Sequence, residues 1–518
     1  MPKIRVHEKA LAHLSRGLYR SPASALRELV SNSWDANATF VRINTNYPVF
    51  AELSVEDNGE GITKQDFAEL MEGGVGNSQK RPQEKQLIND RPVIGRLGIG
   101  MLGIAQICGS FTVVSKPKHG EPFRARVNLY DLLKEKLDRS DSDVVVTEQG
   151  NPEKVIEVDV GEYTFETLDP SGVRYGTTVV ADELHPTFVS TFQKSLLFEK
   201  FTKPPLDWGK AVKIVSKFRS LQELGDYWRL LWELSVACPL PYLNKNAVPD
   251  KLILRDQERL LGYDFKVVVD GIQLFKPIML YDNPNGYTTR AIDKQSLKIY
   301  AKNLIFHGYV VVQEGAQLRP DELRGILTRI RNVAIGFYDP SMLDYRYNEG
   351  PRSRWLTGEV YVDEGLEDAL NIDRDSFNRF HPEFRAIQEY LHRVLHEEVF
   401  PATYKQIEVR STVRAQKTER ARNRALRKAL SAKAQTPVKI TYVNSDNGEG
   451  EVPHASIVEK PGGLEIILPE PDSIQTKRAH RQLAVSILAI HELALTERTR
   501  DKQRDVFFEL LLQLLSEW

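Results

Sequence analysis

The stretch "ALRELVSNSWDANATFVRI", residues 25–43, decides how the N-terminal part of this chain is read. At 3.6 residues per turn Glu28, Asn32 and Asp35 stand at i, i+4 and i+7, a polar ridge beside the apolar Leu29, Val30 and Ala36. Such a ridge is either wetted by solvent or turned toward a ligand, and its neighbours discriminate. A strand pattern follows at "VRINTNY". A second, "ELSVEDNG", runs into Asp57-Asn58-Gly59-Glu60-Gly61, where two glycines free the backbone to turn tightly and approach a flat or anionic ligand. Residues 93–116, "VIGRLGIGMLGIAQICGSFTVVSK", place Gly95, Gly98, Gly100 and Gly103 ahead of an apolar helix pattern, and a glycine-rich turn into a helix N-terminus is a ready phosphate cradle. It is not a P-loop, because no Gly-Lys-Ser/Thr follows. Nor is it the dinucleotide fingerprint, because a polar loop rather than a buried strand precedes it.

The bulk numbers bound the rest. A length of 518 residues corresponds to about three or four domains at ~150 residues each. The 70 Lys plus Arg nearly balance the 71 Asp plus Glu, so no basic field across the whole chain announces nucleic acid, although a local patch is compatible with it. Both cysteines, Cys108 and Cys238, lie in apolar stretches, which points to core positions in a reducing compartment and away from a disulfide framework or a cysteine zinc site. "MPKIRVHEKALAHL" lacks the apolar run of a signal peptide, and no stretch reaches the roughly 18 consecutive apolar residues of a membrane span. The expectation is a cytoplasmic protein without membrane contact.

Along the chain, alternating helix and strand patterns over the first 190 residues read as an α/β sandwich. "PPLDWGK", residues 204–210, reads as a linker, and a second α/β region follows with strands near "YDFKVVVDGIQL", "SLKIYAKNLIFHGYVVVQ", "NVAIGFYD" and "LTGEVYVDE" and a closing helix, "FRAIQEYLHRVLHEEVF". Residues 405–433 then carry ten Lys or Arg against Glu408 and Glu419. The last region has short strands, "VKITYVN" and "LEIILPE", before a helical stretch from about Thr476.

"ELVSNSWDA", "DNGEG", "GRLGIG" and "YGTTVV" (residues 175–180), in this order, resemble the four nucleotide-binding boxes of the GHKL ATPases, the superfamily of Hsp90, MutL, DNA gyrase B, MORC proteins and histidine kinases. The resemblance covers residues 20 to about 180 and implies a Bergerat-fold ATPase sandwich that binds ATP and Mg²⁺. It implies that Glu28 is the general base that activates water against the γ-phosphate and that Asn32 is the magnesium ligand. Asp35 lies near the nucleotide sugar and phosphates or supports its box, two readings left open. Asp57 would accept the adenine exocyclic N–H, with Gly59, Gly61 and Thr178 completing the base pocket. Gly95, Gly98, Ile99, Gly100 and Met101 would hold the phosphates. The polar stretch "MEGGVGNSQKRPQEKQLINDRP", residues 71–92, matches the position of the family's ATP lid, which makes Ser78 and Lys80 candidate phosphate-side contacts.

Residues 297–312 and 355–377 resemble the Hsp90 middle domain, where a strand pair is followed by a Leu-Asn-x-x-Arg turn. By that match Arg374 reaches the γ-phosphate when the lid closes, with Arg329, Arg331 and Lys302 as alternatives. The expected architecture is an α/β (α+β) multidomain chain. It comprises an ATP-binding domain over 1–200, an Hsp90-middle-like transducer over 211–403, a basic helical connector over 404–435 and a C-terminal α+β region over 436–518. The last of these supplies a candidate contact for a homodimer. Two function classes follow. In one, an ATP-gated dimeric clamp acts on DNA or RNA, with Arg420, Arg424, Arg427 and Lys428 along one helical face touching phosphates. In the other, a chaperone-like clamp acts on a protein partner and the basic helix is a solvated connector. A nucleotide-sensing module with little turnover is a third reading.

Overall fold

The computed structural model describes residues 2–7, 22–72, 87–88, 91–94, 100–129, 157–198, 203–243, 251–277, 287–300, 302–313, 317–371, 375–404, 438–443, 456–461, 463–469, 494 and 499–516. The chain divides into two compact units, 1–403 and 404–518. It is an α+β multidomain fold, as the sequence patterns imply.

The first unit begins with β1 (Lys3–His7), α1 (Pro22–Asp35), β2 (Phe40–Asn44), β3 (Leu53–Asp57) and α2 (Lys64–Glu72). Short strands β4 (Leu87–Ile88) and β5 (Arg91–Pro92) pair with each other, and a 3-10 segment spans Gly100–Gln106. Next come β6 (Ser110–Lys116), β7 (Phe123–Leu129), β8 (Glu157–Thr167), β9 (Gly176–Ala181) and the helices α3 (Pro186–Phe198), α4 (Trp208–Val215), α5 (Asp226–Ala237) and α6 (Lys251–Gly262). Two further strands, β10 (Lys266–Val269) and β11 (Ile272–Gln273), complete a nine-stranded sheet in the order β1-β8-β7-β6-β9-β3-β2-β10-β11. Its joins are antiparallel except β2 with β10, which run parallel.

This differs from the sequence reading in two places. The stretch expected to be a linker contains the start of α4: Asp207 caps it by accepting from Lys210 N–H, and Trp208 is buried with its indole N–H donating to the Phe275 carbonyl at 2.9 Å. A tryptophan with a buried ring and a satisfied N–H belongs to a core. Residues 266–273, assigned to the second region, are the outer strands of the first sheet. Val267 and Val269 are fully buried there beside Val41 and Ile43, so their alternation serves the ATPase-like core.

The second sheet, β12-β13-β16-β14-β15, is built from β12 (Tyr287–Ile299), β13 (Lys302–Gln313), β14 (Gly325–Ile330), β15 (Val333–Asp339) and β16 (Leu356–Glu364). "RYNEGPRSR", residues 346–354, carries the start of a 3-10 segment at Gly350–Trp355. One face of this sheet packs on α7 (Pro382–Val394), through Phe306, Val310, Val360, Phe384, Ile387 and Leu391. The other contributes Tyr309, Leu327, Ala334 and Tyr361 to the core of the first sheet. Helix α5 lies against both α1 and β15, which ties the two cores together. In the second unit β17 (Val438–Val443) runs parallel to β19 (Gly463–Pro469), β18 (Ser456–Lys460) antiparallel to it, and α8 spans Arg500–Ser516. Among the described residues no helix is long and apolar enough to cross a membrane.

Candidate functional site

Helix α1 carries the first candidates. Pro22 opens it, and it ends where Asn37 takes a left-handed φ of 59° and Ala38 N–H bonds back to the Ser33 carbonyl at 3.0 Å. Leu26, Leu29, Val30 and Trp34 are buried, so the apolar stripe is the core face. The polar ridge is neither plainly wet nor open. Glu28 is buried, its Oε1 accepting from Arg27 Nη2 at 3.1 Å. Arg27 also donates from Nη1 to Asp375 Oδ1 at 2.5 Å, and Asp375 Oδ2 accepts from Ser24 Oγ at 3.1 Å. Burial would push the Arg27 guanidinium down, but Asp375 and then Glu28 outweigh it and hold it firmly protonated.

One turn on, Asn32 is half-buried, and among the described residues its side chain has no partner. An amide oxygen on a helix face is a hard donor of the kind Mg²⁺ accepts alongside phosphate oxygens. Asp35, at the end of the helix, accepts from Ile94 N–H through Oδ1 at 2.7 Å. It anchors the chain immediately ahead of Gly95. Arg331 grips the same segment from the second sheet, donating to the Val93 carbonyl at 2.5 Å and pairing with Glu367 at 2.8 Å. The backbone leading into the glycine-rich loop is thus clamped from two sides.

Asp57, at the end of β3, accepts from Gly59 N–H at 2.8 Å and Thr177 N–H at 3.3 Å through Oδ1. The Ser33 hydroxyl lies 3.0 Å from both Asp57 Oδ2 and the Leu29 carbonyl. Burial pushes the Asp57 carboxyl above its usual range, against the pull of these donors. The residue on β9 that touches Asp57 is Thr177; Thr178 sits in the ladder opposite Glu56 and Val114. The glycines of this turn serve the packing of the protein itself. A Cβ on Gly59 would stand 2.6 Å from the Ala36 carbonyl, and one on Gly61, where φ is +70°, 2.7 Å from that of Lys116. Gly176, which the sequence reading placed in the last box without a role of its own, meets Asp57 most closely: a Cβ there would lie 2.0 Å from the Asp57 carbonyl.

Gly100 and Met101 open the 3-10 segment, with Met101 buried. Ser78, Lys80, Gly95, Gly98, Ile99, Arg374, Arg420, Arg424, Arg427 and Lys428 lie outside the described residues. The three alternatives to Arg374 are engaged elsewhere: Lys302 pairs with Asp368, Arg331 is held as above, and Arg329 is fully buried on Glu359. Sequence reading missed Ser33, Thr177 and, above all, Asp375. The first two were legible as small polar residues inside the quoted boxes. Asp375 carried no local signal.

Residues 19–157 match the family described as histidine kinase-, DNA gyrase B- and HSP90-like ATPase. A Herpetosiphon aurantiacus protein provisionally named as type II restriction enzyme HgiDII is 39% identical over 113 residues, 21% of this chain and 18% of that protein. The DNA mismatch repair protein MutL of Colwellia psychrerythraea is 31% identical over 99 residues, 19% of this chain and 14% of its own. MutL of Bacillus cytotoxicus is 37% identical over 68 residues, 13% and 10% respectively. The chain thus spans less than a fifth of the length of these relatives. The helix bearing Glu28 and Asn32, the strand end bearing Asp57 and the glycine-rich segment after Ile94 lie within the matched residues, and this part of the chain is a GHKL-type ATPase domain.

Proposed function

We propose that this protein binds ATP with Mg²⁺ and hydrolyses it. The observation that carries the reading is the arrangement on α1, where a buried carboxylate, Glu28, precedes by one turn an amide, Asn32, with no partner among the described residues. In this reading Glu28 accepts the proton of the attacking water, and burial keeps bulk solvent from competing for it. Asn32 is the protein's ligand to magnesium, which when bound neutralises charge on the phosphate oxygens. Asp57 accepts from the adenine amino group, its orientation fixed by Gly59, Thr177 and Ser33, with Gly61 and Thr178 beside the base. Asp35 acts by fixing the backbone that feeds the glycine-rich loop. Backbone N–H groups of Gly98, Gly100 and Met101, with Gly95 and Ile99 shaping the turn and Ser78 and Lys80 closing over it, hold the phosphates. Arg374, next to Asp375, supplies positive charge to the γ-phosphate.

The working unit in this reading is a homodimeric clamp on nucleic acid, with residues 405–433 providing phosphate contacts. The names of the relatives favour nucleic acid over a protein client: one is a DNA mismatch repair protein and another is provisionally named as a restriction enzyme. The test is steady-state ATP hydrolysis by wild type and Glu28→Ala, with and without duplex DNA, at low and moderate salt. Turnover that Glu28→Ala abolishes while ATP still binds, and that DNA stimulates, supports the whole reading. Turnover indifferent to DNA moves the client to a protein. A wild type that binds no ATP overturns the proposal.

A further inference from the structure

The ion-pair arrangement around Arg27 contains more than the ATPase reading uses. A guanidinium meets a carboxylate best through two parallel N–H···O bonds. Arg27 does this with neither partner. It gives Nη1 to Asp375 and Nη2 to Glu28, and its Nε, fully buried, finds no acceptor among the described residues. All four side chains in the set, Ser24, Arg27, Glu28 and Asp375, are buried, at 2%, 2%, 5% and 7% exposure. Asp375 holds the stronger share: its contact is shorter, and its charge does more than that of Glu28 to keep Arg27 protonated.

Asp375 is itself fixed. Leu370 and Phe377 bridge across the turn, Asn371 N–H donates to the Ser376 carbonyl, and the Asp375 backbone passes over Gly336 so closely that a Cβ there would come within 2.6 Å of its carbonyl oxygen. The turn therefore presents its carboxylate to α1 from the second sheet as a preset counter-charge.

We infer that Asp375 is a positioning residue for ATP hydrolysis: by taking one arm of Arg27, it keeps that arginine from closing a two-armed grip on Glu28. The inference rests on Glu28 being the base proposed above. A Glu28 gripped through both oxygens has its lone pairs engaged and turned away from water. With one arm of Arg27 held by Asp375, the arginine reaches Glu28 through Oε1 alone. Through this contact the second sheet sets the competence of a base on the first.

The experiment measures kcat, and the Kd for a non-hydrolysable ATP analogue, for wild type, Asp375→Asn, Asp375→Glu, Arg27→Lys and the double variant Arg27→Lys/Asp375→Asn, each checked for folding by thermal unfolding. The expected result is a fall in kcat of about tenfold in Asp375→Asn with Kd unchanged, since misorienting one catalytic group slows chemistry without loosening the nucleotide. Asp375→Glu restores part of the loss. In the Arg27→Lys background, where no fork exists to close, Asp375→Asn has little further effect. The inference is overturned by an Asp375→Asn protein with wild-type kcat, by equal loss of kcat and ATP affinity, or by an Asp375→Asn effect of the same size in the Arg27→Lys background. A wild type that hydrolyses ATP while Glu28→Ala does so equally well overturns instead the assignment of Glu28 on which the inference stands.

Discussion

Two buried arginines divide the labour of the first unit. Arg329, on β14, meets Glu359 on β16 through a fork, Nε to Oε2 at 2.5 Å and Nη2 to Oε1 at 3.3 Å, and gives Nη1 to the Val236 carbonyl at the end of α5. Glu359 also accepts from Tyr338 at 2.6 Å and Tyr361 at 2.7 Å, and Lys276 stands 3.3 Å from the Tyr361 hydroxyl. Burial pushes the Glu359 carboxyl up, but Arg329 and then Lys276 outweigh it and hold it at about 2. Arg27 has the same burial and a carboxylate on either side, yet is split between them with a donor unused. A buried ion pair with its bonds filled joins two layers in one geometry. One left short of bonds retains a second geometry within reach.

The sharpest way to break this comparison is to remove one carboxylate from each arginine. Glu28→Ala is expected to lower ATP turnover by about 10²- to 10⁴-fold, the usual contribution of a general base, while urea unfolding changes little. Glu359→Ala is expected to do the reverse, destabilising the first unit by about 3–5 kcal/mol because the Arg329 charge is left buried without its partner. If both variants lost stability alike, the two arginines would not differ in kind.

Lys276 sharpens the architectural side. Burial first, and the Arg329 charge second, push its ammonium down to about 7, with Glu359 opposing. Since the unfolded chain titrates near 10.5, it binds more protons than the folded protein between about pH 7 and pH 10.5. Stability contributed by this group therefore rises with pH across that window, and below about pH 7 the penalty for burying the charge stands in full. Urea midpoints at pH 6.5 and pH 9 should differ more in wild type than in Lys276→Met; equal slopes would remove Lys276 from the account. The smallest effect is expected from Gly336→Ala, which forces a side chain onto a φ of +65° and against the Asp375 backbone. About 1–3 kcal/mol of stability should be lost, with a fall in kcat smaller than that of Asp375→Asn.

The residues proposed for the ATP site were legible where neighbours in the chain are also neighbours in space. Glu28, Asn32 and Asp35 share a helix, and Asp57 and Gly59 share a turn, so residue type and spacing were enough to single them out. The sequence carried the pairing of strands less completely: "YDFKVVVDGIQL" was visible as strand, but nothing in its alternation says that it lies beside β2 rather than in the second sheet. The contact of Arg27 with Asp375 spans 348 residues and joins two side chains that are each common on surfaces. Only the fold makes it a buried triad. The same holds for Trp208, whose "PPLDWGK" context has the composition of a loop although the ring fills a core.

The parallel seam between β2 and β10 has a consequence for synthesis of the chain. Translation of about half of the protein must be finished before Lys266–Val269 emerges to cover the outer edge of Phe40–Asn44. Until then the nascent sheet presents a bare rim rich in Val and Ile, the kind of strand that invites pairing with a neighbour on the same polysome. A fragment ending near residue 200 would keep that rim permanently, whereas one ending at Thr403 would close it. Expression trials of the two fragments should separate on solubility before any nucleotide is added.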